Sequence, residues 1–173
     1  MHTEQDSVLT RAPTLIDQIK EKNPTVVNEL IPDQLKVGGV QKVLQNLLKE
    51  RVPIRDMQSI LETLADYAGV TQDPDILTEY VRAAIARPIC QNYQTDEGNI
   101  PVLTVAPELE QQISEATQTT PVGIKAVLPP DLTNRFFEQL AEEIDSMVSN
   151  GRQPLLLVSP NIRLALRRLT EAT

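Results

Sequence analysis

Two apolar stripes in succession constrain this chain more than any other feature. Val40, Val43, Leu44, Leu47 and Leu48 recur at three- and four-residue spacing, and so do Met57, Ile60, Leu61, Leu64 and Ala65. That is the period of an amphipathic helix. The spacing predicts one helix from about Gly39 to Arg51 and another from about Asp56 to Ala68. The link between them is "VPIRD" (52–56), where Pro53 disfavours helix at Val52. Gly69 stands where a left-handed C-cap favours glycine.

The helical pattern extends on both sides. Upstream, Leu15, Ile16 and Ile19 share a face of a short helix ending at Asn23, and Pro24 opens another turn. Downstream, Asp73 and Pro74 read as N-cap and first residue of a helix whose stripe is Ile76, Leu77, Tyr80, Val81, Ala84 and Ile85. Residues 23–95 therefore read as a helical bundle subdomain, preceded by an N-terminal segment, 1–22, that has the ragged polar look of a linker or an added end.

After Cys90 the rhythm changes. "TDEGN" (95–99) is turn chemistry, and "IPVLTV" (100–105), "GIKAVL" (123–128) and "PLLLVS" (154–159) read as strands, the last apolar on both faces as in a covered sheet. Between them run a helix from Pro107 bearing Leu109, Ile113 and Ala116, and a longer one with Leu132, Phe136, Leu140, Ile144, Met147 and Val148 inward, closed by Asn150-Gly151. Ser159 and Pro160 open a last helix on Ile162, Ala165, Leu166 and Leu169. The fold class is thus mixed α+β and α/β: a helical bundle followed by a small βαβαβα subdomain over 96–173. Three strands make a thin sheet, and a further strand is expected after Thr173.

Composition narrows function by exclusion. A net charge of −8 opposes nucleic acid as the main partner. No apolar run approaches the roughly 18 residues of a spanning helix. A single cysteine forbids an internal disulfide, so the cytoplasm is the default compartment. No phosphate loop, dinucleotide fingerprint or Cys/His ligand spacing occurs, and Gly38-Gly39 alone makes none. His2 lies in a polar tail, and Cys90 reads as a small buried hydrophobe with no histidine partner. Asp73/Asp75 read as cap chemistry, and Glu142, Glu143 and Asp145 as a solvated helix face. Ser159 is the one candidate nucleophile near a strand end, and it reads as a helix cap. No catalytic, cofactor-binding or metal-ligating residue is assigned, and the chain is not read as an enzyme.

What remains is surface. Gln41, Lys42, Gln45, Asn46 and Lys49 form an amide-rich face opposite the first stripe, suited to hydrogen bonds with a neighbouring protein or to plain solvation. Arg163, Arg167 and Arg168 cluster on the last helix, where they suit an acidic neighbour or the helix dipole.

The run "VQKVLQNLLKERVPIRDMQSILETLADYA" (40–68), with "NPTVVNELIP" (23–32) and "DPDILTEYVRAAIARPIC" (73–90), resembles the C-terminal cytoplasmic part of the FlhA-type export-gate family, FHIPEP, of flagellar and virulence type III secretion. "PLLLVSPNIRLALRRL" (154–169) resembles that family's last α/β subdomain. The likeness covers roughly residues 11–170 and is weakest across 105–125. It implies a fragment: the third, helical cytoplasmic subdomain and most of the fourth, α/β one, without the membrane helices and the first two subdomains. It further implies a place at the cytoplasmic face of the bacterial inner membrane and assembly of the whole protein into a nine-membered ring. Partners would be other export-apparatus proteins and export chaperone–substrate complexes, with no nucleic acid and no membrane contact by this fragment. The implied role is a non-enzymatic scaffold; a free-standing soluble helical adaptor is the alternative. Two departures carry structural expectations. "KVGG" (36–39) lacks the family's capping box, so that helix end should be loose. Pro88 should kink or end its helix.

Overall fold

The computed structural model describes residues 14, 16–18, 20, 21, 24–31, 33–120 and 123–171. The readings of Met1, His2, Leu15 and Ile19 lie outside them. Contacts divide the chain into two compact units, Met1–Asn92 and Tyr93–Thr173.

The first unit is helical: α1 (Pro24–Leu30), α2 (Val37–Lys49), α3 (Met57–Tyr67), α4 (Pro74–Ala84) and α5 (Ala86–Gln91). The two founding stripes do what their period requires. Val40, Val43, Leu44, Leu47, Met57, Ile60, Leu61 and Leu64 join Leu77 and Val81 of α4 in one buried cluster. Burying each such side chain stabilises the fold by about 1.5–3 kcal/mol before entropy is counted. Two further contacts join these helices. Tyr67 and Tyr80 stack with centroids 4.0 Å apart, joining α3 to α4. Arg82 Nη1 pairs with Glu50 Oε2 at 2.7 Å, joining α4 to the end of α2.

Helix ends follow local chemistry. α2 starts two residues before the expected Gly39, and its N-cap, Lys36, makes no side-chain cap bond. Asp56 caps α3 by accepting from the Ser59 N–H at 3.1 Å. Asp73 caps α4 by accepting from the Asp75 N–H at 2.9 Å. α2 stops in a double reversal: Arg51 N–H donates to Leu48 O and Val52 N–H to Leu47 O, both at 2.9 Å, with Arg51 at φ 57°. This is the Schellman pattern with arginine where glycine is usual. Pro88 acts as expected. It has no N–H for the Ala84 carbonyl, and the helix breaks between Ala84 and Ala86, at Ile85.

Three readings of this unit are corrected, the first being Ala84, expected in the buried stripe of α4 and found exposed. Gly69 is not left-handed; Ala68 is the C-cap of α3 and keeps right-handed helical angles. Cys90 is exposed rather than buried. The break at Ile85 restarts the helical phase, Ile89 takes the inward position, and the next residue lies about 100° further round.

The second unit runs β1 (Leu103–Thr104), α6 (Pro107–Ala116), β2 (Thr117–Thr120), β3 (Gly123–Ala126), α7 (Pro130–Ser149), β4 (Leu156–Leu157) and α8 (Pro160–Leu169). The expected three-stranded sheet is replaced by two sheets of two strands: β1 parallel to β4, and β2 antiparallel to β3. β2 is the polar run "TQTT", which carries no apolar alternation to announce it. β1 and β4 are short because Pro101 and Pro154 interrupt pairing before them and Pro107 and Pro160 start helices after them. Ile113, Phe136, Ile162 and Leu166 form the buried core of this unit. Two inward readings fail: Val148 and Leu157 are more than half exposed, at 57% and 59%. β4 thus has one wet face instead of two covered ones.

Ser159 holds the N-cap position of α8 but makes no cap bond with its side chain. Its N–H and Oγ–H both donate to Glu110 Oε1 on α6, at 2.8 and 2.5 Å. The hydroxyl first, then the N–H, hold the Glu110 carboxyl below the usual glutamate range, against a smaller opposing effect of lost solvation. A lowered folded-state value means that the ionised carboxylate stabilises the fold. That contribution is complete above the ordinary glutamate range and is lost as pH falls through the lowered value. We therefore expect Glu110→Gln to melt below the parent at pH 7 and the gap to close in strong acid, as read by thermal circular dichroism at the two pH values.

Candidate protein-contact surfaces

The five α2 residues read from sequence as one outward face do not behave alike. Lys42 and Lys49 are exposed, and Gln41 and Gln45 half-buried. Asn46 is turned inward: its Nδ2 donates to Asp75 Oδ1 at 2.8 Å and to Thr78 Oγ1 at 3.1 Å. Thr78, nearly fully buried, in turn donates to Pro74 O at 2.6 Å. Asn46 is therefore a strut between α2 and α4. Asn46→Ala would leave a part-buried carboxylate short of a donor, and we expect a loss of about 1–3 kcal/mol. Gln45→Ala, one residue away, should cost far less; urea denaturation of the two variants compares them.

The three arginines of α8 are half-buried. Arg168 Nη1 donates to the Ile124 carbonyl at 2.7 Å, and its guanidinium lies over Gly123. That glycine sits at φ 107°, where a Cβ would collide with the guanidinium. Arg168 thus fastens α8 to β3 inside its own unit. Arg163 and Arg167 stay on the same helix with interactions of their own.

Sequence reasoning missed a cleft of about 600 Å³ in the second unit. It is lined by Val102 through Ala106, by Leu109 of α6, by Phe136, Gln139, Leu140, Glu142 and Glu143 of α7, and by Leu156 of β4. The helix stripe held the apolar lining, but a cleft depends on which strand lies opposite. Among the described residues no group of three or more His, Cys, Asp or Glu is placed to hold a metal ion. Among the same residues no helix is long and apolar enough to cross a membrane.

Fold and surfaces together define a two-part module, a helical bundle followed along the chain by a small α/β unit, whose salient features are faces and a cleft. The FHIPEP family matches residues 2–173, and the chain belongs to that family. It is 38% identical over 157 residues to the flagellar biosynthesis protein FlhA of Bacillus subtilis and 36% identical over 157 residues to that of Escherichia coli, covering 91% of this chain in both cases. It spans only 23% and 22% of those relatives. Among solved structures it is similar to the C-terminal domain of InvA, at TM-score 0.84 and 27% identity, over 95% of this chain and 50% of that one. It is also similar to nonameric SctV-C from enteropathogenic E. coli (TM-score 0.78, 27% identity, 95% of this chain and 49% of that one). A third neighbour is from the complex of the Chlamydia pneumoniae CdsV and CdsO proteins (TM-score 0.78, 25% identity, 98% and 50%).

Proposed function

We propose that this chain is a cytoplasmic portion of a type III protein export gate, a non-enzymatic scaffold that takes part in ring assembly. It engages export substrates, their chaperones and other components of the apparatus. Its place is at the cytoplasmic face of the bacterial inner membrane, as part of a longer, membrane-anchored polypeptide. The observation that carries this is the family match along almost the whole chain, which covers both units rather than one motif. The nonameric state of SctV-C supports the ring, and the CdsV–CdsO complex supports contact with a second apparatus protein.

The physical account is consistent with that role. The first unit commits its side chains to a leucine-rich core and to internal struts. Of its α2 face, Gln41, Lys42, Gln45 and Lys49 remain to meet another protein. Arg163 and Arg167 are the corresponding candidates on α8. In the source bacterium, deletion of the gene is expected to lower the amount of type III substrates in the medium at least tenfold, while proteins secreted by other routes stay constant. Restoration should require the full gene; unchanged type III secretion in the deletion strain would contradict the reading.

A further inference from the structure

Asparagine is a thermolabile residue. A following glycine makes it more so, because glycine has no Cβ to shield its nitrogen from the side-chain amide before it. Of the eight asparagines in the sequence, only Asn150, at the end of α7, precedes a glycine. Asn150 and Gly151 are both exposed.

The turn holds this pair in a form that cannot react. The Arg152 N–H donates to Met147 O and the Gly151 N–H to Val148 O, both at 2.9 Å, with Gly151 at φ 68°. This is the Schellman pattern with glycine in its usual place. The Gly151 nitrogen, which would have to attack, is thus occupied as a donor. Asn150 Nδ2 is turned back onto the helix and donates to Ser146 O at 2.7 Å. Asn150 itself lies at ψ 12°. That angle swings the Gly151 nitrogen away from the Asn150 Cβ, whereas a five-membered ring needs the two eclipsed. One event undoes all three restraints: opening of the last turn of α7, at a helix end, where fraying is easiest.

We propose that Asn150 is a spontaneous deamidation site gated by the opening of this turn. In the open turn the Gly151 nitrogen loses its proton to solvent base and bonds to Asn150 Cγ. The Cγ–Nδ2 bond breaks, and Nδ2 leaves as ammonia with a proton taken from water. The resulting succinimide adds one water and opens at either carbonyl, to aspartate or to isoaspartate; nothing is oxidised or reduced. Both products oppose reclosure. A carboxylate in place of the amide faces the Ser146 carbonyl oxygen at the negative end of the helix. Isoaspartate also lengthens the main chain by one methylene, so the bonds to Met147 and Val148 no longer fall in register. The proposal does not depend on the export reading.

The test incubates the 173-residue chain and a peptide of residues 145–155 at pH 8. The peptide is too short to hold a helix. Mass spectrometry of protease digests then maps each amide converted to acid. The peptide should convert at least tenfold faster than the protein, and in the protein Asn150 should convert before any other asparagine. Val148 is 57% exposed, so its replacement acts chiefly on the last helical turn. Val148→Gly should convert roughly fivefold faster than Val148→Ala, the ratio set by the helix propensities of glycine and alanine. Equal rates in protein and peptide overturn the proposal, because the turn then protects nothing. Equal rates in the two Val148 variants overturn it as well, because opening of the turn is then not the gate. So does earlier conversion of another asparagine. So does a protein still unconverted after about a hundred half-lives of the peptide, a protection greater than a fraying helix end can give.

Discussion

Leu47→Ala is expected to lower the stability of the helical unit by about 2–5 kcal/mol, the range for emptying a fully buried leucine site. Leu47 has no exposed surface and sits in the main core cluster, among Val43, Leu44 and the residues of α3 and α4. Its carbonyl also accepts the Val52 N–H at the reversal that ends α2. That bond belongs to the backbone and survives the substitution, so the loss is one of packing. Leu48, next in the same sequence stripe, is only half-buried. Leu48→Ala should cost about 1 kcal/mol or less. Urea unfolding of both variants, followed by far-ultraviolet circular dichroism, measures the difference. Equal losses would mean that α2 is rotated from the register described. Domains are stable by only about 5–15 kcal/mol, so the larger value brings the unit near unfolding.

Gly123→Ala is expected to be the most damaging change of a single small atom group in the second unit. Two costs combine. A φ of 107° suits glycine alone, and strained backbone of this kind costs on the order of 1–3 kcal/mol. The added methyl also displaces the Arg168 guanidinium and its bond to the Ile124 carbonyl, a charge-assisted bond typically worth about 1.5–3 kcal/mol. A double-mutant cycle with Arg168→Ala separates them. In the Arg168→Ala background the collision is gone and only the backbone strain remains, so Gly123→Ala should cost less there. Strict additivity would show that the collision contributes nothing.

These positions also mark how far the sequence could be read. α2 and α3 were legible because their apolar residues repeat at helical spacing, and a stripe buried on one side has few other solutions. The start of α4 was legible because Asp73 and Pro74 act on their immediate neighbours, and so was the break before Pro88. Gly151, at φ 68°, closes α7 for the same local reason. The failures are non-local. Glu110 and Ser159 are 49 positions apart, so a serine expected to cap its own helix instead donates to another. Asn46 belongs to the polar side by period, yet Asp75 and Thr78 of α4 draw it inward. Cys90 departs from its expected burial because a helix restarted after Ile85 loses the phase of the one before. β2 escaped notice because "TQTT" gains its pairing from β3, not from an apolar face of its own. The burial of these α2 and α8 residues was therefore only half legible. Its exposed lysines and half-buried glutamines stand where the period put them, while Asn46 and Arg168 serve the interior of their own units.

If this chain is part of a larger, membrane-anchored export protein, as proposed, an antibody raised against residues 40–69 will show it on separated membrane and soluble fractions of the source cell. We expect a single band in the membrane fraction, about four times the length of this chain, in proportion to the relatives it matches. A band of about the size of the 173-residue chain, confined to the soluble fraction, would contradict it and would make the protein a free-standing adaptor built on the same two units.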